Sequence, residues 1–152
     1  MSNEYKDWLH DEAQEKQTYL AGPMTGHPQF NYPLFLRVAE ELREKGWDIH
    51  NPVEMDDPEV REAAMQSEDG KLDEDSRIAG HSWGQILGKD IEFLSDRCDS
   101  IVLLPGWALS RGARLEAYCA VNNGFRVYQY SEKVTTPVPH KRVLEILKRK
   151  VK

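Results

Sequence analysis

An α/β fold, with a parallel sheet wound on both faces, is predicted by three observations. Short β-forming runs alternate with blocks of helical period along the chain, in the order β-α-β, a charged insert, then α-β-α-β-α. The run Ser100-Ile101-Val102-Leu103-Leu104 is continuously apolar after its serine, as in a strand covered on both faces. The first three strands end in turn-forming pairs, Gly22-Pro23, Asn51-Pro52 and Pro105-Gly106, where an open α/β sheet places its ligand loops.

Each element follows from local chemistry. Residues 1–16 form a polar, acidic N-terminal extension, and one domain is expected over 17–152. Gln17-Thr18-Tyr19-Leu20-Ala21 is rich in β-formers. From Tyr32 to Lys45 the residues Leu34, Phe35, Val38, Ala39 and Leu42 share one helical face, with Asn31 placed to cap it and Gly46 to stop it. Trp47-Asp48-Ile49-His50 reads as the second strand. Residues 54–75 hold ten acids against Arg61 and Lys71, so the insert at about 54–80 is expected to be a solvated loop with at most a helical turn. It lacks the ordered Asp/Asn spacing of a calcium loop.

Ser82 to Ser95 carries a helical stripe of Trp83, Ile86, Leu87, Ile91 and Leu94, expected to be buried. Gly112 to Asn122 is a further helix with Gly124 past its end, and Phe125 to Tyr130 is the fourth strand. Thr136-Pro137-Val138-Pro139 reads as a linker, and His140 to Lys150 as a basic helix. The architecture is flavodoxin-like (Rossmann-like), with Leu20, Ile49, Leu103 and Val127 on parallel strands.

The 152 residues, 39% hydrophobic and 30% charged, suit one ordinary core. A net charge of −6 argues against a partner such as duplex nucleic acid, which is held by basic surfaces. There is no apolar run of membrane-spanning length, and the first residues do not read as a signal peptide. Cys98 and Cys119 have neither CxxC nor zinc spacing and read as buried thiols of a reducing compartment. A cytoplasmic protein without metal or cofactor is expected.

The strand-end loops hold the candidate site. Gly22, Pro23, Met24 and Gly26 follow the first strand, where glycine lets backbone approach a ligand. After the third strand, Ser110, Arg111 and Gly112 open a helix whose N-terminus suits an anion. Glu116 lies one turn further, flanked by Ala113, Ala117 and Ala120, so a close-packed face would desolvate its carboxylate. Asp90 is a second carboxylate, on the preceding helix. Met24, Trp83 and Trp107 are candidates for the walls of a pocket that stacks a base.

These segments carry a resemblance. Tyr19-Leu20-Ala21-Gly22-Pro23, the stretch from Asp90 to Asp99 leading into Ser100–Gly106, and Ser110-Arg111-Gly112-Ala113-Arg114-Leu115-Glu116 resemble the nucleoside 2-deoxyribosyltransferase superfamily, including its 2′-deoxynucleoside 5′-phosphate N-hydrolases and DUF4406-like members. The resemblance implies cleavage or transfer of the N-glycosidic bond of a nucleoside or nucleoside 5′-monophosphate. It assigns Glu116 as nucleophile, Asp90 as the acid that assists the leaving base, and Tyr19 as the group that orients Glu116. Ser110 stands where the N-hydrolases contact a 5′-phosphate, and Arg111 adds positive charge. The family's shared sites imply a homodimer or larger homo-oligomer. A binding module of the same fold that sequesters a nucleotide without turnover is the competing expectation.

Overall fold

The computed structural model describes residues 17–150. Strand β1 (Gln17–Ala21) leads through a 3₁₀ turn (Pro28–Asn31) into helix α1 (Tyr32–Glu44) and strand β2 (Asp48–His50). The insert follows as α2 (Pro52–Met55), α3 (Pro58–Gln66) and a hairpin of β3 (Arg77–Ile78) and β4 (His81–Ser82). Helix α4 (Trp83–Arg97), strand β5 (Ser100–Leu103), a 3₁₀ turn (Trp107–Leu109), helix α5 (Arg111–Asn122) and strand β6 (Arg126–Ser131) complete the alternation. Strand β7 (Val134–Val138) and helix α6 (His140–Leu147) close the domain.

The main sheet has the order β2-β1-β5-β6-β7, parallel except for the antiparallel β6–β7 pair. This is the expected flavodoxin-like α/β domain, with Leu20, Ile49, Leu103 and Val127 all on parallel strands. Alternation along β1 divides the core. Tyr19 and Ala21 face Leu94, Ala113, Ala117 and Val143 on one side; Leu20 faces Phe35, Val38 and Leu42 on the other. Inside the ladder, the hydroxyls of Thr18 and Ser100 pair at 2.6 Å, so β1 and β5 are joined by side chains as well as backbone.

The chain leaves β1 toward β2 on one flank, and the later strands add on the other. The order therefore reverses between β1 and β5, and their carboxyl ends diverge into a crevice. Gly22 sits at that point, where a Cβ would lie 2.8 Å from Leu104 Cβ. A side chain there would push the two strand ends apart.

The expected linker over Thr136–Pro139 is corrected: most of it belongs to β7, the sheet's antiparallel edge. Pro137 lies opposite Tyr128 on this outer strand, where a missing N–H breaks no inner ladder. The turn into it, Glu132-Lys133, takes positive φ (48° and 69°) at both residues without the Gly or Asn that usually announces such a hairpin. The insert also departs from a solvated loop. Val60 and Ala64 of α3 are buried, because α3 packs against the first 3₁₀ turn and β3, and Ala64 joins the apolar cluster that includes α1. Asn31 precedes α1 as expected but makes no side-chain cap; its Nδ2 donates instead to the Pro23 carbonyl at 2.8 Å. The amide thus ties the start of α1 to the loop after β1.

A candidate active site at the carboxyl edge of the sheet

Above the crevice lies a cavity of about 490 Å³, the size of small-ligand sites. Its floor comes from the loops after β1 and β5: Gly22, Met24 and Thr25 on one side, Ser110, Arg111, Gly112, Ala113 and Glu116 on the other. Helix α4 supplies Trp83, Ile86, Leu87 and Asp90, the first 3₁₀ turn supplies Phe30, and the start of α1 supplies Tyr32 and Phe35. The outer wall is the insert, through Pro52, Asp56, Val60, Leu72, Ser76 and Ile78.

Glu116 is 6% exposed, on the face of α5 that packs against the sheet. Ala113, Ala117 and Ala120 are small enough to bring the helix down onto β1 and β5, and this lowers Glu116 into the domain. The Tyr19 hydroxyl, fully buried on β1, donates to Glu116 Oε2 at 2.6 Å. The partners are 97 positions apart in the chain. The ladder sets the depth of Tyr19 and the packing of α5 sets that of Glu116, so their meeting depends on the assembled fold.

Burial pushes the Glu116 carboxyl up to about 8, against the opposing pull of the Tyr19 hydrogen bond. Asp90 is raised well above the carboxylate range, first by burial, then by the charges of Glu116 and Asp56; Lys89 and the Tyr19 hydroxyl pull it back. Burial, then Glu116 and Asp90, raise the Tyr19 phenol, so it remains a donor. Two raised carboxyls beside one phenol share protons as a unit. Tyr19 donates to Glu116 and favours its ionised form, and the charge on Glu116 in turn raises Asp90, so Glu116 is the first of the two to lose its proton as pH rises. One group is then a carboxylate and its neighbour an acid at the same pH.

The structure brings Glu116, Asp90, Tyr19, Gly22, Met24, Ser110, Arg111 and Gly112 together; Tyr19 reaches the site through its hydrogen bond, and the others line the cavity. Ser110 caps α5, its Oγ accepting from the Ala113 N–H at 3.2 Å. Arg111 stacks over the Trp83 ring at 4.7 Å, and among the described residues no carboxylate pairs with it. Arg114 turns away and donates to the carbonyls of Ala108, Leu147 and Arg149, tying α6 to α5.

Three predicted positions lie elsewhere. Trp107, expected on the pocket wall, is instead buried in the core with Ala113 and Ala117, because the 3₁₀ turn carries its ring inward. Leu109, from the same turn, lines the cavity and is 75% exposed. Pro23 is buried against Gly106, and Gly26 donates its N–H to the Gly70 carbonyl at 2.8 Å. Both shape the loop without lining the cavity. The stripe on α4 is also corrected: Leu94 is buried, whereas Trp83, Ile86 and Leu87 are half-buried on the cavity wall. The first turns of α4 overhang the strand ends, so their apolar side chains face the crevice.

Sequence reasoning missed the outer wall. Tyr32 donates a short hydrogen bond to Asp56 Oδ2, and both residues line the cavity. The one available signal was position, since Asp56 falls just past the second strand-end loop, Asn51–Glu54. Outside the cavity, Asp57, Glu59 and His81 bring ligand atoms within 4.8 Å of one another and could hold a cation. They are solvent-accessible, and the Lys89 ammonium stands 3.7 Å from Asp57.

The chain belongs to the family described as a domain of unknown function, DUF4406, whose model matches residues 16–129. That span covers every residue of the constellation from Tyr19 to Glu116. No curated protein and no solved structure matches the chain. Among the described residues, no helix is long and apolar enough to cross a membrane.

Proposed function

We propose that the protein cleaves or transfers the N-glycosidic bond of a nucleoside or nucleoside 5′-monophosphate, as the resemblance to the nucleoside 2-deoxyribosyltransferase superfamily implies. The observation that carries this reading is the buried Tyr19–Glu116 hydrogen bond beside Asp90, on the floor of a cavity lined by aromatic and aliphatic side chains.

In the first step a Glu116 oxygen attacks the anomeric carbon. The C1′–O bond forms as the C1′–N bond breaks, and its electron pair leaves on the base nitrogen. The base takes a proton from Asp90. Water or a second base then attacks the same carbon, Asp90 accepts the incoming proton, and Glu116 is released as a carboxylate. Tyr19 holds Glu116 in one rotamer and leaves its other oxygen for the sugar.

Arg111, with Ser110 at the N-terminus of α5, supports a phosphorylated substrate. A homodimer or larger assembly belongs to the same reading; exposed Leu115 and Tyr118 on α5 and Leu144 on α6 offer apolar surface to a second copy. Light scattering at micromolar concentration should find the oligomer, and a fully active monomer would contradict it.

The competing reading, a module that binds without turnover, draws on the raised Glu116, which as a neutral acid binds a sugar but does not attack it. Incubation with a panel of deoxynucleosides and their 5′-monophosphates, followed by chromatography, separates the two. Free base supports the enzyme; tight binding with no free base supports the module.

A further inference from the structure

The site contains a second phenol–carboxylate pair. Tyr32, at the first position of α1, donates to Asp56, at the end of α2, just as Tyr19 on β1 donates to Glu116 on α5. The pairs differ in what they leave open. Glu116 is enclosed by helix and sheet, whereas Asp56 is half-buried on the insert's wall of the cavity that Asp90 also lines.

Asp56 is held by one side chain, and the backbone beside it by another. Tyr32 fixes Oδ2, and Lys89 on α4 donates to the neighbouring Met55 carbonyl at 3.2 Å. Among the described residues, no other side chain shares its carboxylate. A carboxylate accepts up to about four hydrogen bonds and donates none, so Asp56 keeps acceptor capacity toward the cavity. The cavity it lines is mostly apolar, through Phe30, Val60, Leu72, Ile78 and Trp83, and the other side-chain donors on that lining are Thr25, Ser76, Ser110, Arg111 and the Trp83 indole. An acceptor fixed among apolar walls reads a ligand's N–H, because a ligand lacking it leaves the carboxylate desolvated and unpaired.

We infer that Asp56, positioned by Tyr32, selects the leaving group by accepting a hydrogen bond from an exocyclic amino group, so that the substrate is an amino-bearing nucleobase such as cytosine or adenine. The inference rests on the glycosidase reading of the same cavity and deepens it. Asp90 must meet the base to protonate it, and Asp56 lines the same cavity, so a base held against Asp90 shares that cavity with Asp56. An oxo group in place of the amino group sets acceptor against acceptor and loses the contact.

The test is calorimetric binding to full-length Glu116→Gln protein, in which bound nucleotide is expected to keep its base. The ligands are two pairs of 5′-monophosphates, deoxycytidine against deoxyuridine and deoxyadenosine against deoxyinosine. In at least one pair the amino member should bind roughly 10–100-fold more tightly, the scale of one unmet buried hydrogen bond. Adding Asp56→Asn, whose amide offers both donor and acceptor, should shrink that ratio to about threefold or less. Adding Tyr32→Phe, which frees Asp56 without removing it, should leave an intermediate ratio. A staple that merely held the insert would weaken both members of a pair equally and leave the ratio unchanged. Equal binding within both pairs, an oxo preference, or a ratio that survives Asp56→Asn overturns the inference while leaving the glycosidase reading standing. Failure of all four nucleotides, and of their nucleosides, to bind overturns both.

Discussion

The cavity has two walls of different construction. The inner wall, β1, β5 and α5, is held by a continuous backbone ladder, the buried Thr18–Ser100 pair and alanine-mediated helix packing. The outer wall, residues 52–82, consists of short helices and a two-residue hairpin joined by exposed, acidic chain. Ser76 and Ala79 there take positive φ (58° and 47°) without being glycine. Glu116 and the Tyr19 that donates to it sit on the inner wall, and Asp56 on the outer. Groups that must meet a reacting atom to a fraction of an ångström belong on ladder-held elements; a surface that reads ligand shape tolerates a softer mount.

The largest test of that contrast is Glu116→Gln. Turnover should fall by about 10³-fold or more while nucleotide binding persists, because a transition-state contact is lost and ground-state contacts are kept. Single-turnover assay beside calorimetry measures both. Near-normal turnover would remove Glu116 from the chemistry, as would a 2′-fluoro analogue adduct on a peptide without it. Asp90→Asn comes next, with turnover down roughly 10²-fold and a smaller loss for substrates whose bases leave easily. Equal losses for good and poor leaving groups would deny Asp90 its acid role.

On the outer wall the corresponding test is Gly70→Ala. Gly70 has φ of 67°, and a Cβ there would come 1.9 Å from the His27 carbonyl oxygen, so insert and loop must separate. KM should rise about tenfold with kcat nearly kept, the expected result when binding contacts loosen and the inner wall does not. A fall in kcat with KM unchanged would show that the insert holds the chemistry as well.

Stability against pH gives a smaller effect. A raised carboxyl binds a proton in the folded state that the unfolded chain has released. The stability it contributes is whole below about pH 4.5 and is lost as pH rises to about 8. Glu116→Gln, neutral throughout, should therefore equal the wild type near pH 4 and exceed it by about 1–3 kcal/mol at pH 8.5. Denaturant titrations at both values check this, and a variant weaker than wild type at the higher pH would contradict the burial argument. The smallest effect belongs to Glu92→Gln. Glu92 is exposed on the same helix as Asp90, and turnover should stay within about twofold.

The inner wall was far more legible than the outer. Its strands are apolar runs, its turns carry Gly and Pro, and Ala113, Ala117 and Ala120 flag a helix face that packs closely. Glu116 could be picked from its small neighbours. The insert hid its packing because Val60, Ala63 and Ala64 keep helical spacing for a single turn only, within a stretch of ten acids over residues 54–75. The β6–β7 hairpin hid because Glu132-Lys133 adopts a tight turn without the usual residues. Trp83 and Trp107 were alike as sequence, yet one lines the cavity and the other fills the core, since the turn after β5 and the overhang of α4 aim them differently.

The sequence by itself determined the α/β alternation, the sheet's parallel core and the strand-end loops, because hydrophobic period and turn chemistry act over a few neighbouring residues. It also named Tyr19, Asp90 and Glu116, through short motifs in a fixed order. Only the tertiary structure decided that Tyr19 donates a hydrogen bond to Glu116, that burial raises the carboxyls, and that Tyr32 and Asp56 face the same cavity. Those properties depend on distances between residues far apart in the chain and on the water excluded around them, and both come into being when the sheet, α5 and the insert close on one another.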